Sequence, residues 1–205
     1  MTEKIDLVKN WKHLYAPAVA QPVLVEVPPL NYLMIDGHGD PNSAPAYQEA
    51  VTALFSLAYA IKFGYKKATG VDFAVMPAEG LWWVADMARF SVEDKSDWDW
   101  TMMILQPEFI RPEQVTELQA EVIKKKGLPG LDRVRFETYQ EGTSAQLMHI
   151  GPYAAEGPNV ARLHDFIAQH GYVRQGKHHE IYLSDFRRTA PERLKTVIRQ
   201  PVAKP

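Results

Sequence analysis

The sequence predicts an α+β fold, in which a duplicated strand-helix-strand-strand module builds an antiparallel sheet with helices on one face and a ligand crevice between the halves. Three observations predict it. Short apolar runs closed by Gly and Pro recur along the chain, and longer runs with helical period separate them. The order of elements in residues 21–127 then repeats in residues 131–203. Leu33-Met34-Ile35-Asp36-Gly37 ahead of the first long helix matches Leu147-Met148-His149-Ile150-Gly151 ahead of the last. A chain of 205 residues with this organisation reads as one domain over residues 1–205.

Residues 1–20 mix charges with Trp11, Tyr15 and Pro17 without a sustained period, and read as an arm that packs locally. Residues 23–27, closed by Pro28-Pro29, and residues 32–36, closed by Gly37-His38-Gly39-Asp40-Pro41, read as a strand pair followed by a loop. Asn42 or Ser43 can cap a helix with Pro45 in its first turn, whose stripe of Tyr47, Val51, Leu54, Ala58 and Ile61 runs to Gly64. Residues 71–75 read as a strand broken at Pro77, and residues 79–84 continue extended beyond the break. Residues 98–105 alternate, with Trp98, Trp100, Met102 and Ile104 on one face.

Pro112 opens a second helix striped by Val115, Leu118 and Val122, and Gly127 ends it. Residues 133–139 and 144–150, joined by Gln140-Glu141-Gly142-Thr143, read as a hairpin. Pro158 lies in the first turn of a helix with Val160, Leu163 and Ile167 inward, stopped by Gly171. A strand over residues 177–185 follows. Thr189 and Glu192 have capping-box spacing around Pro191, and residues 195–202 run as a last strand.

Composition removes several classes of function. Twenty-three basic against 25 acidic residues give a net charge of -2, with Lys124-Lys125-Lys126 as the one basic cluster. A Lys run at a helix end answers the helix dipole, so there is no electrostatic case for a nucleic-acid partner. The absence of cysteine removes disulfides, thiolate catalysis and thiolate metal sites. The charged start Met1-Thr2-Glu3-Lys4-Ile5-Asp6 lacks the apolar core of a secretory signal, and no stretch reaches the roughly 18 apolar residues of a membrane span. The expectation is therefore a cytoplasmic protein with no membrane partner. His178 and His179 are adjacent and point to opposite faces of a strand, and no His-Glu-x-x-His spacing occurs, so no metal is expected. No Gly-x-Ser-x-Gly elbow, P-loop or dinucleotide fingerprint is present, and no cofactor is expected.

The candidate chemistry lies in two strands. Alternation in residues 177–185 puts His178, Glu180, Tyr182 and Ser184 on one face, too polar for core, and His179, Ile181 and Leu183 on the other. Glu79 begins a second segment with Leu81 and Trp83 on its face, and Gly80 invites close approach by a ligand or another backbone. At related positions of the two halves, Glu79 and Glu180 are expected to look into one crevice beside Trp82 or Trp83 and Tyr182. Aromatic walls disfavour a carboxylate's charged form, which moves it toward the range of a general base. The same geometry holds a flat or cationic ligand without reaction. His149 and His178 can meet across neighbouring strands and touch that ligand, or serve as satisfied histidines at the rim.

At these residues the sequence resembles the GyrI-like small-molecule-binding family. Within it, the likeness is to a stand-alone group whose Glu-Gly-Leu-Trp-Trp and His-His-Glu-Ile-Tyr-Leu-Ser-Asp signatures are here Glu79 to Trp83 and His178 to Asp185. His149-Ile150-Gly151-Pro152-Tyr153 and Arg187-Arg188-Thr189-Ala190-Pro191-Glu192 join them, and the likeness runs from about Leu30 onward. It implies a hydrophobic crevice with a central glutamate, here Glu180. Some relatives sense drugs through fused DNA-binding helices, others bind toxins alone, and some are thought to act on a topoisomerase. The group resembled includes hydrolases that open the cyclopropane ring of DNA-alkylating natural products. On that resemblance Glu180 activates water, Glu79 tunes it or donates a proton, and Trp82, Trp83, Tyr153 and Tyr182 are walls around a hydrophobic small molecule. The alternative is a protein that binds or senses such a compound and leaves it intact. Phe186 stands where the signature is expected to carry proline, a departure in the loop that leaves Glu180 and Tyr182 untouched.

Overall fold

A computed structural model describes residues 4–19, 21–87, 90 and 94–205; Met1, Thr2 and Glu3 of the charged start lie outside the described residues. The arm forms two single-turn helices, α1 (Leu7–Asn10) and α2 (Lys12–Tyr15), the first capped by Asp6, whose carboxylate accepts from the backbone N–H of Val8 and Lys9. The chain continues through β1 (Val23–Val27), β2 (Leu30–His38), α3 (Pro45–Thr69), β3 (Ala78–Trp83), β4 (Asp99–Leu105), α4 (Pro112–Lys126) and β5 (Arg135–Tyr139). It ends with β6 (Gly142–Ile150), α5 (Gly157–Gln169), β7 (Val173–Arg174), β8 (His178–Tyr182) and β9 (Lys195–Ala203).

The strands form one antiparallel sheet in the order β1-β6-β9-β8-β3-β4-β2-β5, with β7 also paired to β9. Its middle six strands read β6-β9-β8 and then β3-β4-β2. Going inward, the order is β6, β9, β8 from one side and β2, β4, β3 from the other, and the two sets meet where β8 pairs β3. Side chains alternate across a strand, so the cross-strand pairs fix the two faces. Trp100, Met102, Gly80, Trp82, His178, Glu180, Thr196, Ile198 and Leu147 share one face. On that face α3 buries Ala53, Leu54, Leu57 and Ile61, and α5 lays Leu163 and Ile167 against Ala145, Leu147, Ile198 and Val202. The opposite face, with Glu79, Leu81, His179 and Arg199, is closed by Leu14 and Tyr15 of the arm. No helix among the described residues is long and apolar enough to cross a membrane.

Several local expectations need correction. The strands read as a β1–β2 pair do not pair with each other: β1 lies on β6, and β2 lies between β4 and β5. The expected β5–β6 hairpin is likewise absent, because β6 is buried on both faces through its middle and takes partners on both edges, β1 and β9. Glu141 between β5 and β6 is itself buried in ion pairs with His179 and Arg199, which carries the chain across the sheet instead of back along it. Among the described residues, 71–75 make a single bridge, Phe73 to Ile5, in place of the expected strand.

Helix α3 passes Gly64 and ends at Gly70, in the left-handed region at φ 79°. Gly64 instead admits Leu118 of α4, whose methyl carbon would lie 3.0 Å from an added Cβ. Neither Asn42 nor Ser43 caps α3; its N-cap is Ala44, while Asp40 closes the preceding turn by accepting from the Asn42 N–H at 2.9 Å.

Candidate functional site

Two strands and two helices converge on the β3–β8 seam. Their register places Gly80 opposite Glu180 and Trp82 opposite His178. A Cβ on Gly80 would fall 2.7 Å from the Trp82 Nε1, so the missing side chain lets the indole fold back across the strand toward Glu180. That Nε1–H is buried and has no hydrogen-bond partner among the described residues.

Glu180, 8% exposed, is held by its neighbours in alternation. The Tyr182 hydroxyl donates to it at 2.7 Å, and His178 Nε2 lies 3.2 Å from its other oxygen. Burial alone raises a carboxyl's pKa, but the His178 and Tyr182 bonds and the charges of His178 and Lys95 hold Glu180 below the ordinary value. Glu180 is therefore the charged member of a pair.

The neutral member is Glu156, immediately before α5 and 5% exposed. Burial first, then the Glu180 charge, pushes it up to about 9; the neighbouring Thr196 hydroxyl and Lys95 ammonium offset this only in part. Glu156 Oε1 and Thr196 Oγ1 are both buried without a hydrogen-bond partner among the described residues. Two adjacent carboxyls in a dry site cannot both ionise, so one keeps its proton near neutral pH. The seam thus offers a base and an acid side by side.

Aromatic rings surround the pair. Tyr47 of α3 lies 6.0 Å from Trp82 and edge-on to Trp100 at 5.5 Å, and Trp98 lies 5.2 Å from Trp82. Phe90 stacks on Trp98 at 4.8 Å and lies 5.6 Å from the His178 ring, while Tyr153 meets Tyr182 edge-on at 5.6 Å. Burial and then the carboxylates push Tyr153 up to about 12 and raise Tyr47 and Tyr182 above the usual phenol value, so all three keep their protons. Among the described residues, no three His, Cys, Asp or Glu side chains are grouped to hold a metal ion.

Of the residues singled out in the sequence, Glu180, Trp82, Tyr153, Tyr182 and His178 come together. Glu79 does not join them. The register puts Gly80, not Glu79, opposite Glu180, so Glu79 projects through the other face. There it is 0% exposed, accepts from the Tyr15 hydroxyl at 2.6 Å and pairs with His179 Nε2 at 3.0 Å. His179 Nδ1 pairs in turn with Glu141 at 2.9 Å, and Arg199 bonds Glu141, Gln146 and the Leu14 carbonyl. This is a buried latch that ties the arm to the sheet.

Trp83 shares the Glu79 face, with Lys177 Nζ 3.3 Å from its ring centroid, and so lies on the other side of the sheet from Glu180. His149 cannot meet His178, because β9 lies between their strands. It accepts from Asn159 at Nδ1 (2.8 Å) and donates to the Pro152 carbonyl from Nε2 (3.2 Å), which positions the segment bearing Tyr153 and Glu156. Sequence reasoning missed Glu156, Tyr47, Thr196 and Lys95. The signal for Glu156 was an acidic residue directly before Gly157-Pro158 at a helix start, three positions after Tyr153.

A model of the GyrI-like small molecule binding domain matches residues 20–203. No curated protein matches the chain. Among solved structures, an uncharacterized conserved protein from Listeria innocua superposes with TM-score 0.91 at 38% identity, covering 98% of this chain and 100% of its own. A hydrolase from the same organism gives TM-score 0.87 at 37% identity, again over 98% and 100%. The EcmrR C-terminal domain shares the fold, with TM-score 0.57 at 15% identity over 90% and 98%.

Proposed function

The chain belongs to the GyrI-like family of small-molecule-binding domains, and from that premise we propose that it hydrolyses a strained, electrophilic small molecule in the crevice at the β3–β8 seam. The observation that carries this reading is the pairing of a charged Glu180 with a protonated Glu156 among aromatic rings. The hydrolase from Listeria innocua, alike over nearly the whole chain, supports the reaction class. The substrate is a cyclopropane conjugated to a dienone, the electrophile of DNA-alkylating natural products, and the role is detoxification in the cytoplasm.

The step balances without a cofactor. Glu180 takes a proton from water as the water oxygen attacks the ring methylene. The ring C–C bond breaks, and its electrons pass through the dienone to the carbonyl oxygen. The unpaired Trp82 Nε1–H stabilises the developing oxyanion, and Glu156 protonates it to a phenol. Transfer of the proton from Glu180 to Glu156 restores the pair. Phe90, Tyr47 and Tyr153 exclude bulk water and stack on the flat substrate.

A second reading shares the site. The same rings around a charged carboxylate suit a planar organic cation that is bound and left intact, with Glu180 as counter-ion. Incubation with a cyclopropane-bearing alkylator, followed by mass spectrometry, separates the two. Ring-opened product beyond one equivalent per protein is expected; intact ligand at saturating occupancy overturns the hydrolase reading in favour of the binding one.

A further inference from the structure

A cavity of about 480 Å3 lies beside α5 and the β7–β9 edge, within the size range of drug-like ligand sites. Ile167, 1% exposed, and Gln200 contribute buried surface, and Ala168, Tyr172, Val173 and Met87 add apolar wall. His164 and Arg174 supply its polar side. Among the described residues the lining contains one formal cation, Arg174, and no acidic residue. Arg174 Nη1 donates to His164 Nδ1 at 3.2 Å, and no ion pair among the described residues engages it. Burial, then the Arg174 charge, then His178, depresses His164 to about 4 against the opposing Asp165 charge, so near neutral pH it is an uncharged acceptor for the guanidinium. The seam differs, since Glu156 and Glu180 are neighbours there, whereas no described residue lining this cavity is acidic.

We propose that this cavity is a second binding site, selective for a flat organic anion whose apolar body packs on Ile167 and Tyr172 and whose carboxylate or sulfonate pairs with Arg174. The site is independent of the hydrolase reading and selects the opposite charge from the seam. Arg174 provides several N–H donors in one plane, which suits a carboxylate or sulfonate better than a point charge.

Calorimetric titration of the full chain with naphthalene-2-carboxylate and with its neutral carboxamide tests this at low salt. The carboxylate is expected to bind one site and more tightly than the amide. Arg174→Gln is expected to erase that preference, weakening the carboxylate about five-fold, the upper range for a solvent-accessible ion pair. Ala168→Trp, at an exposed helix position, is expected to fill the cavity and abolish binding, while Glu180→Gln leaves binding unchanged. Equal affinity for acid and amide, full binding by Arg174→Gln, or loss in Glu180→Gln but not in Ala168→Trp overturns the proposal.

Discussion

Replacing Glu79 by Gln separates a structural carboxylate from a catalytic one. Glu79, Glu141, His179 and Arg199 form a fully buried set of two negative and two positive groups. Removing one negative charge leaves a net positive charge in the interior, and breaking a buried pair in this way costs about 3–5 kcal/mol. Gln retains an oxygen to accept from Tyr15 and nearly the same shape, so the expected loss is near the lower bound, about 3 kcal/mol. With a urea m-value of about 2–3 kcal/mol/M, the unfolding midpoint falls by about 1–1.5 M. Equilibrium denaturation followed by tryptophan fluorescence measures this, and turnover of a cyclopropane-bearing alkylator per folded molecule is expected to stay within about two-fold, because mutations away from the reacting atoms leave transition-state contacts intact. An unchanged midpoint with turnover reduced about 100-fold, the size of a lost general acid or base, would instead return Glu79 to the mechanism.

The remaining predictions concern the seam and the latch. The rate of ring opening is expected to fall above pH about 9 as Glu156 loses its proton, and to fall in acid below the ordinary carboxylate range as Glu180 gains one; Glu156→Gln removes the alkaline limb of the pH–rate profile. Stability has its own pH dependence. His179 is raised from 6.5 to about 9, so its contribution is full below 6.5 and is lost as pH rises through about 9. Glu141 is lowered from 4.5 to about 2, so its contribution is full above 4.5 and is lost as pH falls through about 2. Glu156, raised from 4.5, adds a further loss between 4.5 and about 9, so urea midpoints are expected to decline toward alkaline pH and less steeply in Glu156→Gln. Gly80→Ala places a methyl 2.7 Å from Trp82 Nε1 and forces the indole aside, which near-ultraviolet circular dichroism and reduced ligand affinity are expected to report. Glu180→Gln removes the base and is expected to lower turnover by about 10² to 10⁴ while changing ligand affinity less.

The parts of this fold written in local pattern were legible. Helical stripes on α3, α4 and α5 gave those elements, and alternation alone put His178, Glu180 and Tyr182 on one face of β8. What depends on register was not legible. Glu79 and Glu180 hold similar positions in their halves, yet a one-residue offset sends every side chain to the other face, and nothing in either strand announces that Gly80 is the residue opposite Glu180. The β5–β6 junction failed for a related reason, since Glu141 looks like an ordinary turn residue until His179 and Arg199 arrive from distant segments. Glu156 was hidden because its raised pKa comes from burial and then from the Glu180 charge, neither of which leaves a trace in the loop that carries it.

Carbon-13 NMR titration of side-chain carboxyls in glutamate-labelled protein, with Glu156→Gln and Glu180→Gln for assignment, observes the acid–base pair directly. One carboxyl titrating near 9 that moves toward ordinary values when Glu180 is neutralised, beside a second that titrates below the ordinary carboxylate value, is the expected result. Two carboxyls titrating independently near 4.5 would contradict it and leave the crevice without its acid.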